Sequence, residues 1–364
     1  MVDQLPQAGE FRPQLDSLRA FAVTGVVISH TLPEYMILQY VLPGYRGVQL
    51  FFVLSGFLIS GILFDAIKLQ GAAAFRPFFA RRILRLMPLF YLVLAISTVV
   101  AWEDLKHSWP YHALYLSNFH FIFTGSWERL TAHFWTLAVE EQFYIFWPIL
   151  LVILPTRYWP VGIGALFVIG LGTRGFIEFN GLWKDSFGIG LYPTYYADDF
   201  GGGAAAALWL RSNPSVRAVR RMAFGLSVIG GLVLVLLYFF LDRLHAVNST
   251  LDVTAWMMVS VGLVLSCYLG INGLVGRILE SWPLSMLGKI SYGVYVWHLL
   301  AILITKKLGT FFGVYLVLGR FGWTATFIGT FIISVVLAGL SWHFFEVRML
   351  ALKSRFPYRS VPNN

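Results

Sequence analysis

Charge and cysteine are what this sequence has least of. Only 12% of its 364 residues are charged, while 58% are hydrophobic. Soluble globular chains average about 25% charged and about 45–50% apolar. The imbalance excludes a soluble enzyme, a disordered chain and a fibrous one, and leaves an all-α integral membrane protein of many spans. The single cysteine, Cys267, excludes an intramolecular disulfide, a CxxC redox pair and a thiolate metal cage, and no metal is expected. Acids are scarcer than bases, 18 Asp+Glu against 27 Lys+Arg. In a membrane chain that excess reads as positive-inside bias rather than affinity for nucleic acid. A cleavable signal is not expected, because Asp3 and Glu10 stand where a basic segment should be. There is no GxSxG elbow, HExxH, P-loop or His-x4-Asp pattern.

What is present is a series of long apolar runs without strand-like alternation. They predict about ten membrane-crossing helices, at about 15–34, 47–66, 83–102, 134–154, 157–172, 193–210, 222–241, 251–270, 287–305 and 326–346. Basic clusters follow the second span (Lys68, Arg76, Arg81, Arg82, Arg85), the sixth (Arg211, Arg217, Arg220, Arg221) and the tenth (Arg348, Lys353, Arg355, Arg359). Ten spans with these clusters inside put both termini in the cytoplasm. The whole of 1–364 is expected to be one membrane domain with no appended periplasmic domain. Two outer segments, about 103–133 and 173–192, are aromatic (Trp102, Trp109, Tyr111, Tyr115, Trp127; Trp183, Phe187, Tyr192). They suit an interfacial belt or a platform for a sugar ring. Gly201, Gly202 and Gly203 permit close helix contact, in the bundle interior or at a homodimer seam.

Ionisable groups within spans are costly and mark functional sites or structural networks. Arg19 and His30 stand 11 residues apart on the first span, hence on one face and about 16 Å apart along the axis. That spacing suits one elongated ligand, or a snorkelling arginine and a boundary histidine. The same ruler puts Glu140 and Glu141, and Asp198 and Asp199, in the outer half and His298 roughly midway up the ninth span, with about 100° between adjacent carboxylates, so at most one of each pair faces any shared site. His30, Glu140, Asp198 and His298 could form a base-and-orienter layer or a structural polar network. Arg82 and Arg85 share a face at i,i+3, with Arg76 and Arg81 close by. Their guanidinium forks suit either lipid headgroups or the phosphates of a nucleotide.

Seven segments in order resemble the membrane acyltransferase-3 family of bacterial O-acyltransferases, which modify O-antigens, exopolysaccharides, Nod factors and macrolides. They are LDSLRAFAVTGVVISH (15–30), RGVQLFFVLSGFLISGILF (46–64), RRILRLMPLFYL (81–92), HFWTLAVEEQFYIFWP (133–148), ADDFGGGAAAAL (197–208), LGKISYGVYVWHLL (287–300) and HFFEVRM (343–349). The resemblance implies a bundle of roughly ten helices in the bacterial inner membrane. It also implies a cytoplasmic acyl-CoA donor, usually acetyl-CoA, and a hydroxyl acceptor on a carbohydrate, or on a cytosolic small molecule such as a macrolide. Arg19, His30, Arg82, Arg85 and Glu140 match family motif positions. Gln49 departs from the usual Asp, His298 is followed by Leu299 and Leu300 rather than x-Pro, and Glu346-Val347-Arg348-Met349 loosens the closing E-R-P. Many relatives add a periplasmic hydrolase-like domain, which is not expected here.

Together these readings predict that Arg82 and Arg85, with Arg76 and Arg81, hold the donor's phosphates, and that its arm passes Arg19. His30 would then act as general base on the acceptor hydroxyl, oriented by Glu140 or by an Asp of the 198–199 pair. The competing non-enzyme reading, a small-solute transporter with a proton relay, would need paired helix breaks in two halves. Pro43, Pro88 and Pro193 do not supply them.

Overall fold

A computed structural model describes residues 5, 12–38, 43–182, 188–240, 245–314 and 322–358. Trp183, Phe187 and Arg359 lie outside the described residues. Ten long helices overlie the ten expected segments: α1 (Pro13–Thr31), α2 (Gly44–Gln70), α3 (Phe75–Val100), α4 (Phe134–Ile153), α5 (Trp159–Phe179), α6 (Ala197–Leu210), α7 (Val216–Phe240), α8 (His245–Leu269), α9 (Ser291–Phe311) and α10 (Gly322–Ser341). No strand occurs among the described residues. Seven helical stretches, which contain all of these but α1 and α6, are long and apolar enough to cross a membrane.

α6 shows why the expected count of ten and the observed stretches differ. It has 14 residues, about 21 Å against a hydrocarbon core of about 30 Å. The turn at Pro193–Tyr196 is a separate 3₁₀ element, so Asp198 and Asp199 sit in the first turn of α6 rather than two turns down a helix begun at 193. At an N-terminus the positive end of the helix dipole favours such acids.

α2 and α6 form the closest helix pair at the centre, and glycine makes it. A Cβ built on Gly203 would lie 2.1 Å from the Val53 carbonyl oxygen, and one on Gly56 2.2 Å from that of Phe200. Gly202 faces Met257 and Val261 of α8, and Gly201 faces Leu166 and Phe167 of α5. All three glycines of the run therefore serve the bundle interior. Further pairs are α7 with α8, α9 with α10, and α1 with α2.

The expected outer loop at 103–133 is partly helical, with short helices at Trp102–Leu105, Trp109–Ala113 and Ser117–Thr124. Its aromatics divide. Trp102, Trp109, Tyr111 and Trp127 are exposed, while Tyr115 is buried and stacked on Phe90 at 4.4 Å between centroids. Beneath them Glu128 joins His112 at 2.6 Å, His120 at 3.0 Å and Thr131 at 2.7 Å. Burial alone would raise the Glu128 carboxyl, but hydrogen bonds from His112, Ser108 and Thr131 hold it down at about 2.

Candidate active site

The face of α3 that carries Arg82 and Arg85 at i,i+3 turns inward, toward α1, α2, α4 and α9. A cavity of about 530 Å³ lies between these five helices and the C-terminal segment. One end is cationic: Arg19, Arg81, Arg82, Arg85 and Lys353 all line it. The single carboxylate among the lining residues is Glu140. Arg19 is paired with Asp16 at 2.5 Å. Arg82 lies 4.4 Å from the Tyr144 ring centroid and Arg81 5.2 Å from that of Tyr358, so both guanidinium groups rest on aromatic faces. Four of the five expected donor-binding arginines thus share one cavity. Arg76 is exposed and is not part of the lining.

Midway along, Glu140 accepts hydrogen bonds from the hydroxyls of Ser55 and Tyr144, which are 2.8 Å from each other. Glu141, one position on, is buried outside the lining, as the 100° offset requires. The cavity's other end is closed by Tyr295 and Thr136. Their hydroxyls hydrogen-bond each other, and the Tyr295 hydroxyl donates to the His133 carbonyl oxygen at 3.0 Å.

Directly behind that wall stand three imidazoles. His133 and His298 are buried, with ring centroids 4.7 Å apart, and the Tyr295 ring is 5.5 Å from each. His30, in the last turn of α1, is 5.0 Å from His298 and is itself exposed. Three helices run in step from the cationic end to this row: Arg19 to His30 on α1, Tyr144 through Thr136 to His133 on α4, and Ser291 through Tyr295 to His298 on α9.

The structure does not bring a carboxylate to the histidine. Asp198 is held by Arg174 through bonds of 2.7 and 2.6 Å and by Thr254 at 3.1 Å, with neither charged side chain exposed. Asp199 takes the Gln49 amide at 3.5 Å. Glu140 serves Ser55 and Tyr144 as described. The carboxylates expected to orient His30 therefore have other partners, and Asp198 answers a buried arginine that would otherwise stand uncompensated. Gln49 also finds its reason here. As a neutral donor it can sit against Asp199, where an aspartate would add a like charge.

Two residues of this arrangement escaped the sequence. Lys353, which the sequence marks only as one of the basic residues after the tenth span, lines the cavity. His133 opens the quoted 133–148 segment, and its place immediately before α4 was the available signal.

Comparison with known proteins shows what the chain is similar to. A family model described as "Acyltransferase domain" matches residues 12–339. The chain is 30% identical over 374 residues to the Bacillus subtilis protein named "Putative peptidoglycan O-acetyltransferase YrhL", covering 93% of this chain and 55% of that one. It is 26% identical over 318 residues to "Peptidoglycan O-acetyltransferase OatA" of Listeria monocytogenes, covering 81% and 50%. The chain thus spans about half the length of these relatives. No solved structure matches it significantly.

Proposed function

The chain belongs to this acyltransferase family, and from that premise we propose that it moves an acetyl group from acetyl-CoA to a hydroxyl of a cell-envelope carbohydrate. The family and the spanning helices make it a multi-pass membrane acyltransferase. The donor, the acceptor and the inner-membrane location are the proposal. The observation that carries it is the convergence of five cations on one cavity that ends a single side-chain layer from a row of three histidines. Among the lining residues the five cations face one carboxylate, Glu140, with Asp16 paired to Arg19 behind them, an excess of positive charge that suits a ligand with several phosphates. The acceptor chemistry follows the Bacillus subtilis and Listeria monocytogenes relatives, whose names specify peptidoglycan.

On this reading Arg81, Arg82, Arg85 and Lys353 bind the phosphates from the cytoplasmic side, and Arg19 lines the path of the pantetheine arm. The thioester advances past Ser55 and Glu140 to the Tyr295–Thr136 wall, which parts to admit it. His30 takes the proton of the acceptor hydroxyl. The alkoxide oxygen bonds the acyl carbon, the C–S bond breaks, and the proton passes from the imidazole to the departing thiolate. Asp198 and Arg174 hold α6 in place beneath this machinery and touch no reacting atom.

Titration of purified protein with acetyl-CoA, paired with transfer of radiolabelled acetyl groups in membranes, tests the reading. Binding by the wild type and loss of base-labile label in folded His30→Ala are expected. A wild type that fails to bind acetyl-CoA, or a fully active His30→Ala, would overturn it.

A further inference from the structure

The two buried histidines behind the cavity each leave one ring nitrogen without a partner. His298 Nδ1 lies 2.5 Å from the Tyr295 carbonyl oxygen, one turn earlier on α9. A carbonyl oxygen can only accept, so Nδ1 carries the proton and Nε2 presents a lone pair. That Nε2 is buried and has no hydrogen-bond partner. Likewise His133 Nε2 donates to the Val296 carbonyl oxygen at 3.1 Å, and its Nδ1 is a buried, unpartnered acceptor. Buried acceptors left unpaired cost free energy, so they persist where function uses them.

His298 is flanked on one side by His133, from the start of α4, and on the other by His30, from α1. The remaining titratable ring in contact is that of Tyr295. Because His133 Nε2–H is committed to Val296, His30 is the imidazole of the row with an N–H to offer. No hydrogen bond joins the two rings as they stand, their planes 44° apart, but with centroids 5.0 Å apart a rotation of the His30 ring can bring one of its N–H groups to His298 Nε2 at about 3 Å.

We infer that His298 is a positioning residue: its Nε2 accepts a hydrogen bond from one ring nitrogen of His30, which fixes the His30 tautomer and leaves the other nitrogen bare toward the acceptor hydroxyl. The inference rests on the proposed base role of His30 and supplies the orienter that the carboxylates do not. The Tyr295 main chain anchors His298 while the Tyr295 side chain closes the cavity. One residue thus ties the donor chamber to the geometry of the base.

The test compares His298→Phe with His298→Gln, whose amide oxygen can accept where Nε2 accepts. Three readouts are taken: acetyl-CoA affinity by calorimetry, base-labile acetyl transfer in membranes of a deletion strain carrying each variant, and ring ¹⁵N shifts of labelled histidine in nanodiscs. His298 is not part of the cavity lining, so acetyl-CoA affinity is expected to stay within twofold of wild type, about the error of the method. Turnover in His298→Phe is expected to fall roughly 10- to 100-fold, the usual range for loss of a group that orients a functional histidine. His298→Gln should recover much of it. In the wild type His30 should show one neutral tautomer, and in His298→Phe a mixture. Turnover in His298→Phe equal to wild type, an equal loss in both variants, or wild-type His298 protonated at Nε2 would overturn the inference. The wild-type ¹⁵N shifts decide it even if the phenylalanine variant fails to fold. By contrast, activity in His30→Ala or absence of acetyl-CoA binding would overturn the reading beneath it.

Discussion

Arg174 of α5 and Asp198 of α6 meet through two parallel hydrogen bonds, and neither side chain reaches solvent or lipid. Truncating one partner leaves a buried charge without its counter-ion, at about 3–5 kcal/mol. Arg174→Ala and Asp198→Ala should each lower the thermal midpoint of the detergent-solubilised protein sharply. The paired change Arg174→Met with Asp198→Leu should recover most of that loss. Fluorescence-detected size exclusion after heating reads the outcome.

The cationic end separates residues that sequence treats alike. Arg82→Ala, Arg85→Ala and Lys353→Ala should each weaken acetyl-CoA binding by tenfold or more, since a charge-assisted hydrogen bond contributes about 1.5–3 kcal/mol. Arg76→Ala should leave binding unchanged, because the side chain is exposed outside the cavity. Calorimetry at two salt concentrations checks both statements, and the affinity should fall as salt rises.

Tyr144 has two duties that two substitutions can separate. Its hydroxyl donates to Glu140 and its ring lies under Arg82. Tyr144→Phe removes the first and should cost acetyl-CoA affinity little. Tyr144→Ala removes both, frees Arg82 from its platform, and should cost several-fold more, as the loss of a cation–π contact of about 1 kcal/mol implies.

Glu128 makes the segment of short helices around it sensitive to acid. Its folded value of about 2 lies below the ordinary 4.5, so its stabilisation is complete above pH 4.5 and disappears as pH falls toward 2. Pepsin cleavage within residues 102–131 should rise across that window. Glu128→Gln should cleave at a rate that no longer follows pH there.

The helices were legible because their cause is local: long apolar runs specify long helices whatever surrounds them. Arg82 and Arg85 were legible for the same reason, since i,i+3 spacing fixes a shared face within one helix. Asp198 was not, because its partner Arg174 comes from another helix, across a turn whose geometry no periodicity encodes. α6 also starts four residues later than its apolar run, which moves both aspartates to its first turn. His133 and Lys353 lie just beyond regular helices, where the ruler stops. The histidine row is assembled by α1, α4 and α9 crossing at one level, a tertiary fact that no single segment contains.

A protein that admits a water-soluble cofactor from one compartment and a partner from the other is in danger of becoming a hole. Here the Tyr295–Thr136 contact stands between the arginine-lined chamber and the imidazoles beyond it. In the proposed reaction that contact, when shut, would keep bulk water off a waiting thioester and deny protons an unbroken wire through the bilayer. On that reading a cell that maintains an electrochemical gradient across the membrane could carry many copies of the protein without dissipating it.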